Sequence, residues 1–409
     1  MSVEAFRFLH ASDFRLEQPL YGLTETPDHL RELLADAPLE AAARVFETAI
    51  LEDVQFVVLS GDVMDPRSAG PRAISFLLEQ FGLLGEQKIH VYWCGGRDDS
   101  PDRWPDDLTL PDTVHVFPTG QAKQFIHSRN EIPVATLIGT SSSDDGTVHA
   151  GEFRAEPTNR YTVAVAFGEA DASSLAGHKQ IDYWALGGRH RQKTLFESPQ
   201  TAHYSGTPQG RCLKEDDAHG CTLVQVDPGR KARTKFIQTD VVRWRNELVA
   251  LEENAGRNEL QRELRSRMQR IATEASGTTV LIAWKVRAEG ALVGSLRGGL
   301  SHELTDWLRT EFGRARPAAW TISLDVEANA DVPEELYEED TILGDFLRAV
   351  REHQQNDRLS LDFGSLLPDM GKNQAIRASL QSVEGEARSL LLEEAAALGT
   401  DLLQGEEAL

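Results

Sequence analysis

Short apolar runs alternate with stripes at helical spacing through the first hundred residues. Phe6-Arg7-Phe8-Leu9-His10 predicts an opening strand. Leu30, Leu33, Leu34, Ala43, Phe46 and Ile50 recur as helical faces, with a break expected near Pro38, because proline lacks the N–H an inner turn needs. Val54 to Leu59 is apolar, rich in β-branched residues and cut off by Gly61, which predicts a strand buried inside a parallel sheet. Ile74, Leu77, Leu78, Phe81 and Leu84 predict the next helix, and Lys88 to Cys94 a third strand. Strand, helix, strand, helix, strand is the order of a layered α/β domain. Beyond it the strands come without long helices between them: Val114–Phe117, Val134–Ile138, Tyr161–Phe167, Tyr183–Leu186, His203-Tyr204 and Cys221–Val226.

The pattern changes after about Asp240. Leu260, Leu264, Met268 and Ile271 mark a long helix, on which Glu253/Arg257 and Glu263/Arg267 are i,i+4 ion pairs. A strand over Val280–Val286, a helix over Leu300–Phe312 and a strand over Trp320–Leu324 complete a small α+β unit. Past Pro333 the chain reads as helical, with Ile376, Leu380, Val383, Leu390, Leu391, Leu398 and Leu402 as an amphipathic stripe. That stripe is either a core contact under a solvated acidic face or a docking helix. The expected domains are 1–240, 241–330 and 331–409.

Composition narrows the partners. The chain has 409 residues and a formal charge of −23, which argues against a broad basic surface that would coat nucleic acid. Residues 331–409 carry 18 acids and 6 bases, a net of −12, so about half the excess lies there. Three cysteines without metal spacing read as reduced thiols. Met1-Ser2-Val3-Glu4 carries no basic region and no long apolar run follows, so no signal peptide is expected, and no stretch reaches the roughly 20 apolar residues of a membrane span. A cytoplasmic location is expected.

Polar groups stand at four strand ends: Asp13, Asp62, Gly95 to Asp98, and Arg189-His190. Open α/β sheets hold their ligands at such carboxyl ends, although an Asp there is also a common turn or cap residue. The order resembles the calcineurin-like metallophosphoesterases, and within them the SbcD/YhaO type of DNA-repair exonuclease. His10-Ala11-Ser12-Asp13-Phe14-Arg15-Leu16-Glu17-Gln18-Pro19-Leu20 resembles the family's H-A-x-D-x-H-L-D-x-P-L, and Gly61-Asp62-Val63-Met64-Asp65 its G-D-x-x-D. Gly95-Gly96-Arg97-Asp98 stands where the family has G-N-H-D, and Gly187-Gly188-Arg189-His190 where it has G-H-x-H. Tyr204 to Gly210 resembles its Y-x-G-S/T-P-Q-G turn. The resemblance implies a four-layer β-sandwich flanked by helices, a small α+β capping domain and a helical C-terminus. It also implies two divalent metals, usually manganese.

The departures bear on chemistry. By resemblance Asp13 and Asp62 survive as ligands. The first-motif His is Arg15, the Asn is Gly96, the catalytic His beside it is Arg97, the His at the end of the Tyr161 strand is Phe167, and the first His of G-H-x-H is Gly188. One metal site keeps Asp13, Asp62 and His190; the other keeps only Asp62. Neither glycine nor a protonated guanidinium coordinates a cation, so two-metal hydrolysis is expected to fail. The expectation is a catalytically degenerate protein with no resident cofactor, the alternative a nuclease using a single manganese at Asp13, Asp62 and His190. Arg15, Arg97 and Arg189 are either drift, turned to solvent or paired with Asp13 and Asp62, or a replacement for the metal charge. Guanidiniums about 7 Å apart at an effective dielectric near 20 repel by about 2 kcal/mol per pair, so such a cluster calls for carboxylates or an incoming anion. The expected ligand is phosphate or a DNA end. The expected partners are an SMC-like ATPase of the SbcC or YhaN type and a second copy of the chain. A purely structural partner role without DNA contact is the third reading.

Overall fold

The computed structural model describes all residues except 1–2, 24, 106–107, 143–145, 157–158, 198, 253–254, 276, 289–290, 328–331, 333, 357–384 and 405–409. The described chain divides into two compact units. The first comprises 1–245, 272–282 and 314–320; the second comprises 246–271, 283–313 and 321–409.

The first unit is built on two six-stranded mixed sheets. Strands β1 (Phe6–Ala11), β2 (Phe56–Ser60), β3 (His90–Cys94) and β4 (Val114–Phe117) lie side by side and parallel. The antiparallel β11 (Gly220–Val226) and β12 (Ala232–Gln238) extend the β1 edge. In the other sheet β6 (Ile132–Gly139), β7 (Tyr161–Phe167), β8 (Tyr183–Gly187) and β10 (Thr201–Tyr204) are parallel. The antiparallel β5 (Lys123–Arg129) and β9 (Lys193–Phe196) form its two edges. Residues alternate between faces, so Phe8, Phe56, Val58 and Tyr92 of the first sheet meet Tyr161, Val163, Val165 and Tyr183 of the second in one dry core. The opposite face of the first sheet, with Leu9, Val57, Leu59 and Trp93, is covered by helices α1 (Asp28–Leu51) and α2 (Pro71–Glu86). The outer face of the second sheet packs Trp184 and Leu186 against Phe153, Leu175 and Ile181.

The expected α/β sandwich with flanking helices is the observed one. The edge strands β5, β9 and β12 were not legible, because they are largely exposed or half-buried and none carries a long continuous apolar run. The break at Pro38 is a correction: α1 runs unbroken through it. Ala37, Pro38, Ala41 and Ala42 are all buried there, and this packing offsets the missing backbone bond.

Strands β13 (Val242–Ala250), β14 (Thr279–Arg287) and β15 (Ala319–Val326) form a third sheet. In the second unit Leu260, Leu264, Met268 and Ile271 are buried on the helix over Arg257–Glu274, and Glu263 pairs with Arg267 at 2.6 Å. A later cluster joins Leu343, Leu347 and Val350 of the helix over Ile342–Gln355 to Leu392 and Ala396 of the helix over Gly385–Gln404. Of the expected terminal stripe, Leu398 is exposed, and the buried face carries Leu392, Ala396 and Ala397 instead. Ile376, Leu380 and Val383 lie outside the described residues, as does Glu253.

Candidate functional site

The exit loops of β1 and β2 are joined by their backbones. Asp13 N donates to Gly61 O at 2.8 Å, Arg15 N to Asp62 O at 3.0 Å and Leu16 N to Val63 O at 3.1 Å. This brings Asp13 and Asp62 to one crevice at the carboxyl ends of the parallel strands. Asp13, Arg15 and Asp62 all hold left-handed φ angles, of 55°, 47° and 50°. Three such residues in one crevice mark backbone that the surroundings over-determine, a frequent property of ligand sites.

Asp13 is fully buried. Its Oδ2 accepts from Ser12 Oγ at 2.6 Å and from Gly188 N at 3.0 Å, while Oδ1 has no hydrogen-bond partner among the described residues. Burial raises its pKa, opposed by the Ser12 bond and the His190 charge. Asp62 Oδ1 accepts from Asp98 N at 2.9 Å. Its carboxyl is pushed up to about 8, first by burial and then by the carboxylates of Asp99 and Asp13.

Asp99 escaped the sequence reading, which stopped one residue short at Asp98. It is buried and ties the crevice together: Oδ1 accepts from Asp62 N at 2.9 Å and from Gly96 N, and Oδ2 from Val63 N at 3.0 Å and Trp93 Nε1 at 2.8 Å. Burial raises it to about 6, and those four donors hold it from rising further.

Glu215 was also missed, because nothing in its sequence surroundings marks it. Arg15 Nη2 donates to both of its oxygens, at 3.1 and 3.0 Å, and His190 Nδ1 lies 2.6 Å from Oε1. Arg211 N donates to Oε2 at 2.7 Å. Burial disfavours the charge, but the His190 bond, the Arg15 guanidinium and the Arg211 N–H outweigh it and hold Glu215 down at about 2. The buried Arg211 side chain reaches Phe14 O and Arg15 O, and burial with the nearby Arg15 charge lowers it to about 9.

The three arginines do not converge. Arg15 is buried behind Glu215. Arg189 donates to Glu169 at 3.1 Å and stacks 5.1 Å from the Tyr204 ring centre. Arg97 is exposed, with Nη2 3.6 Å from the position a Cβ on Gly146 would take. Gly146 O accepts from Glu169 N at 2.8 Å, so Arg97 and Arg189 flank one pair of loops on the crevice rim.

The family's metal donors fit this crevice poorly. A Cβ on Gly96 would overlap Asp62 Oδ1 and stand 2.6 Å from Asp62 N, so the space an asparagine needs is taken. Gly188 has φ 92°, which strains any side chain there. Phe167 is buried, and its ring bridges Gly61 and Gly188: a Cβ on Gly61 would overlap it, and one on Gly188 would lie 3.3 Å away. An apolar ring thus stands where the resemblance places a metal-binding His. Among the described residues no group of three or more His, Cys, Asp or Glu side chains is disposed to hold a metal ion.

Two mixed sheets with helices outside, and strand-end motifs in this order at one crevice, resemble the calcineurin-like metallophosphoesterases. The chain is similar to the metallophosphoesterase YhaO of Bacillus subtilis (strain 168), with 24% identity over 336 residues, 78% of this chain and 81% of that protein. No family model matches the chain. Solved structures similar to it include a dimetal phosphatase from Danio rerio, at 12% identity and TM-score 0.36, covering 58% of this chain and 99% of that one. Vacuolar protein sorting 29 from Cryptosporidium parvum is similar at 16% identity and TM-score 0.26, over 58% of this chain and 98% of that one. Among the described residues no helix is long and apolar enough to cross a membrane.

Proposed function

We propose that this homologue of a metallophosphoesterase is a cytoplasmic, catalytically degenerate protein that holds a phosphate or a DNA end without cutting it. The observation that carries this reading is the Phe167 ring between Gly61 and Gly188, together with the Asp62 carboxylate in the space beside Gly96. Hydrolysis of a phosphodiester by two metals needs donors at those positions to fix both ions. Arg97 and Arg189 on the rim supply the cationic groups for phosphate oxygens, with Arg15 held behind them on Glu215. An SMC-like ATPase of the SbcC or YhaN type and a second copy of the chain are the proposed partners, with the acidic C-terminal helices as the ATPase contact.

One observation favours a second reading, an exonuclease or phosphodiesterase using a single manganese at Asp13, Asp62 and His190. Asp13 Oδ1 is buried without a partner among the described residues, and His190 Nδ1 faces a carboxylate, as the second nitrogen of a metal-bound His commonly does. Metal analysis after purification in manganese, with nuclease assays and DNA binding at low salt, separates the two. The proposal expects less than stoichiometric metal, no cleavage, and DNA binding that weakens about tenfold in Arg97→Ala/Arg189→Ala. One bound ion per chain with cleavage lost in Asp62→Asn overturns it in favour of the enzyme. DNA binding unchanged by the arginine substitutions overturns the rim assignment.

A further inference from the structure

The amino ends of β1 and β2 lie at the pole of the sandwich opposite the crevice, and a cavity of about 300 Å³ opens there. Its walls include Phe6, Arg7, Asp53, Gln55, Arg129 and Gln225. They come from three places: the start of β1 and the approach to β2, the facing strand β11, and the tip of the β5–β6 hairpin. The hairpin turns through Asn130 and Glu131, at φ 49° and 68°, and this places Arg129 at the cavity.

Two features make this a built site. The register aligns one row of side chains across the sheet, with Arg7 opposite Gln225 and Gln225 opposite Arg233. Directly opposed residues have Cβ atoms about 5 Å apart, so Arg233 stands one strand beyond the cavity wall. The second feature is unused cationic capacity. Arg129 and Arg233 are exposed and have no ion-pair partner among the described residues. Arg7 gives one N–H to Glu52, at 3.0 Å, and a guanidinium has five. Three arginines stand against Glu52, Asp53 and, at the hairpin tip, Glu131, so this pole is locally near neutral on a chain whose total is −23.

We propose that this cavity binds a small phosphomonoester bearing hydroxyl groups, of the sugar-phosphate class. The phosphate lies between Arg7 and Arg129, because guanidinium forks match phosphate oxygens bidentately. The carbon frame packs on Phe6 and Val226, and its hydroxyls donate to Asp53 and exchange hydrogen bonds with the Gln55 and Gln225 amides. Asp53 sets the class, since it repels a bare inorganic anion and accepts from a ligand that carries donors.

The site is remote from the crevice and does not depend on the function proposed there. The test is calorimetric titration of the full chain with ribose 5-phosphate and with inorganic phosphate. Ribose 5-phosphate is expected to bind saturably and more tightly than inorganic phosphate. Its affinity falls at least about tenfold in Arg129→Glu, a hairpin-surface change that leaves every described ion pair intact, and again in Gln225→Leu. It stays within about twofold of the parent in Arg97→Ala/Arg189→Ala. Absence of saturable binding, equal affinity for the two ligands, or loss in the crevice variant with retention in Arg129→Glu would each overturn the proposal.

Discussion

Glu215 and Asp62 occupy the same crevice and are both buried, yet they are displaced in opposite directions. Glu215 is held down at about 2, because Arg15, His190 and the Arg211 backbone all converge on it. Asp62 is pushed up to about 8, because burial acts on it alongside the carboxylates of Asp99, Asp13 and Asp98, with the Asp98 N–H in compensation. Burial penalises both charges; the position of the cations decides the outcome. The arginine that stands in the first motif did not neutralise the surviving aspartates. It turned to a glutamate 200 residues along the chain. The crevice therefore has a neutralised half around Glu215 and a half, around Asp13, Asp62 and Asp99, where burial and the crowding of acids outweigh the nearby His190 and Arg15 charges.

The sharpest way to break that comparison is to remove the shared anion. Glu215→Ala leaves Arg15 and Arg211 buried without their carboxylate and is expected to cost about 3–5 kcal/mol in urea unfolding. A loss under about 1 kcal/mol would show that water already neutralises the two guanidiniums.

Next in size is an attempt to rebuild the family's donor. Gly96→Asn forces a Cβ against Asp62 N and the Asp62 carboxylate, and is expected to destabilise by more than about 2 kcal/mol without recruiting manganese. A stable Gly96→Asn protein that binds the ion stoichiometrically would contradict this.

The pH dependence is the most diagnostic. Between its unfolded value of 3.8 and about 8, Asp62 holds a proton in the folded state that the unfolded chain has lost, so stability falls as pH rises across that window. Asp62→Asn removes this slope. Relative to the parent, the variant is expected to gain on the order of 4 kcal/mol between about pH 5 and about pH 8, the slope of one proton over that window. Glu215 has the opposite sign: its contribution is complete above the unfolded 4.5 and is lost as pH falls toward about 2. An offset between Asp62→Asn and parent that does not change with pH would remove the distinction between the two halves.

Much of this was legible in one dimension. Apolar runs located the buried parallel strands, because a strand covered on both faces must be continuously hydrophobic. The order Asp13, Asp62, Gly96, His190 located the crevice, because parallel strands present their carboxyl ends on one side. Local pattern could not reach Asp99, Glu215 or the cavity at the opposite pole. Asp99 acts through backbone N–H groups donated by two other loops, Glu215 meets Arg15 across 200 residues, and Arg129 reaches the cavity by way of a hairpin whose first strand carries no apolar run. Sequence by itself determined which residues lie at strand ends and which of them carry side chains able to coordinate a cation. Only the tertiary structure decided where the charges went, since pairing and desolvation are set by neighbours in space, and Coulomb energy falls with distance through the fold rather than along the chain.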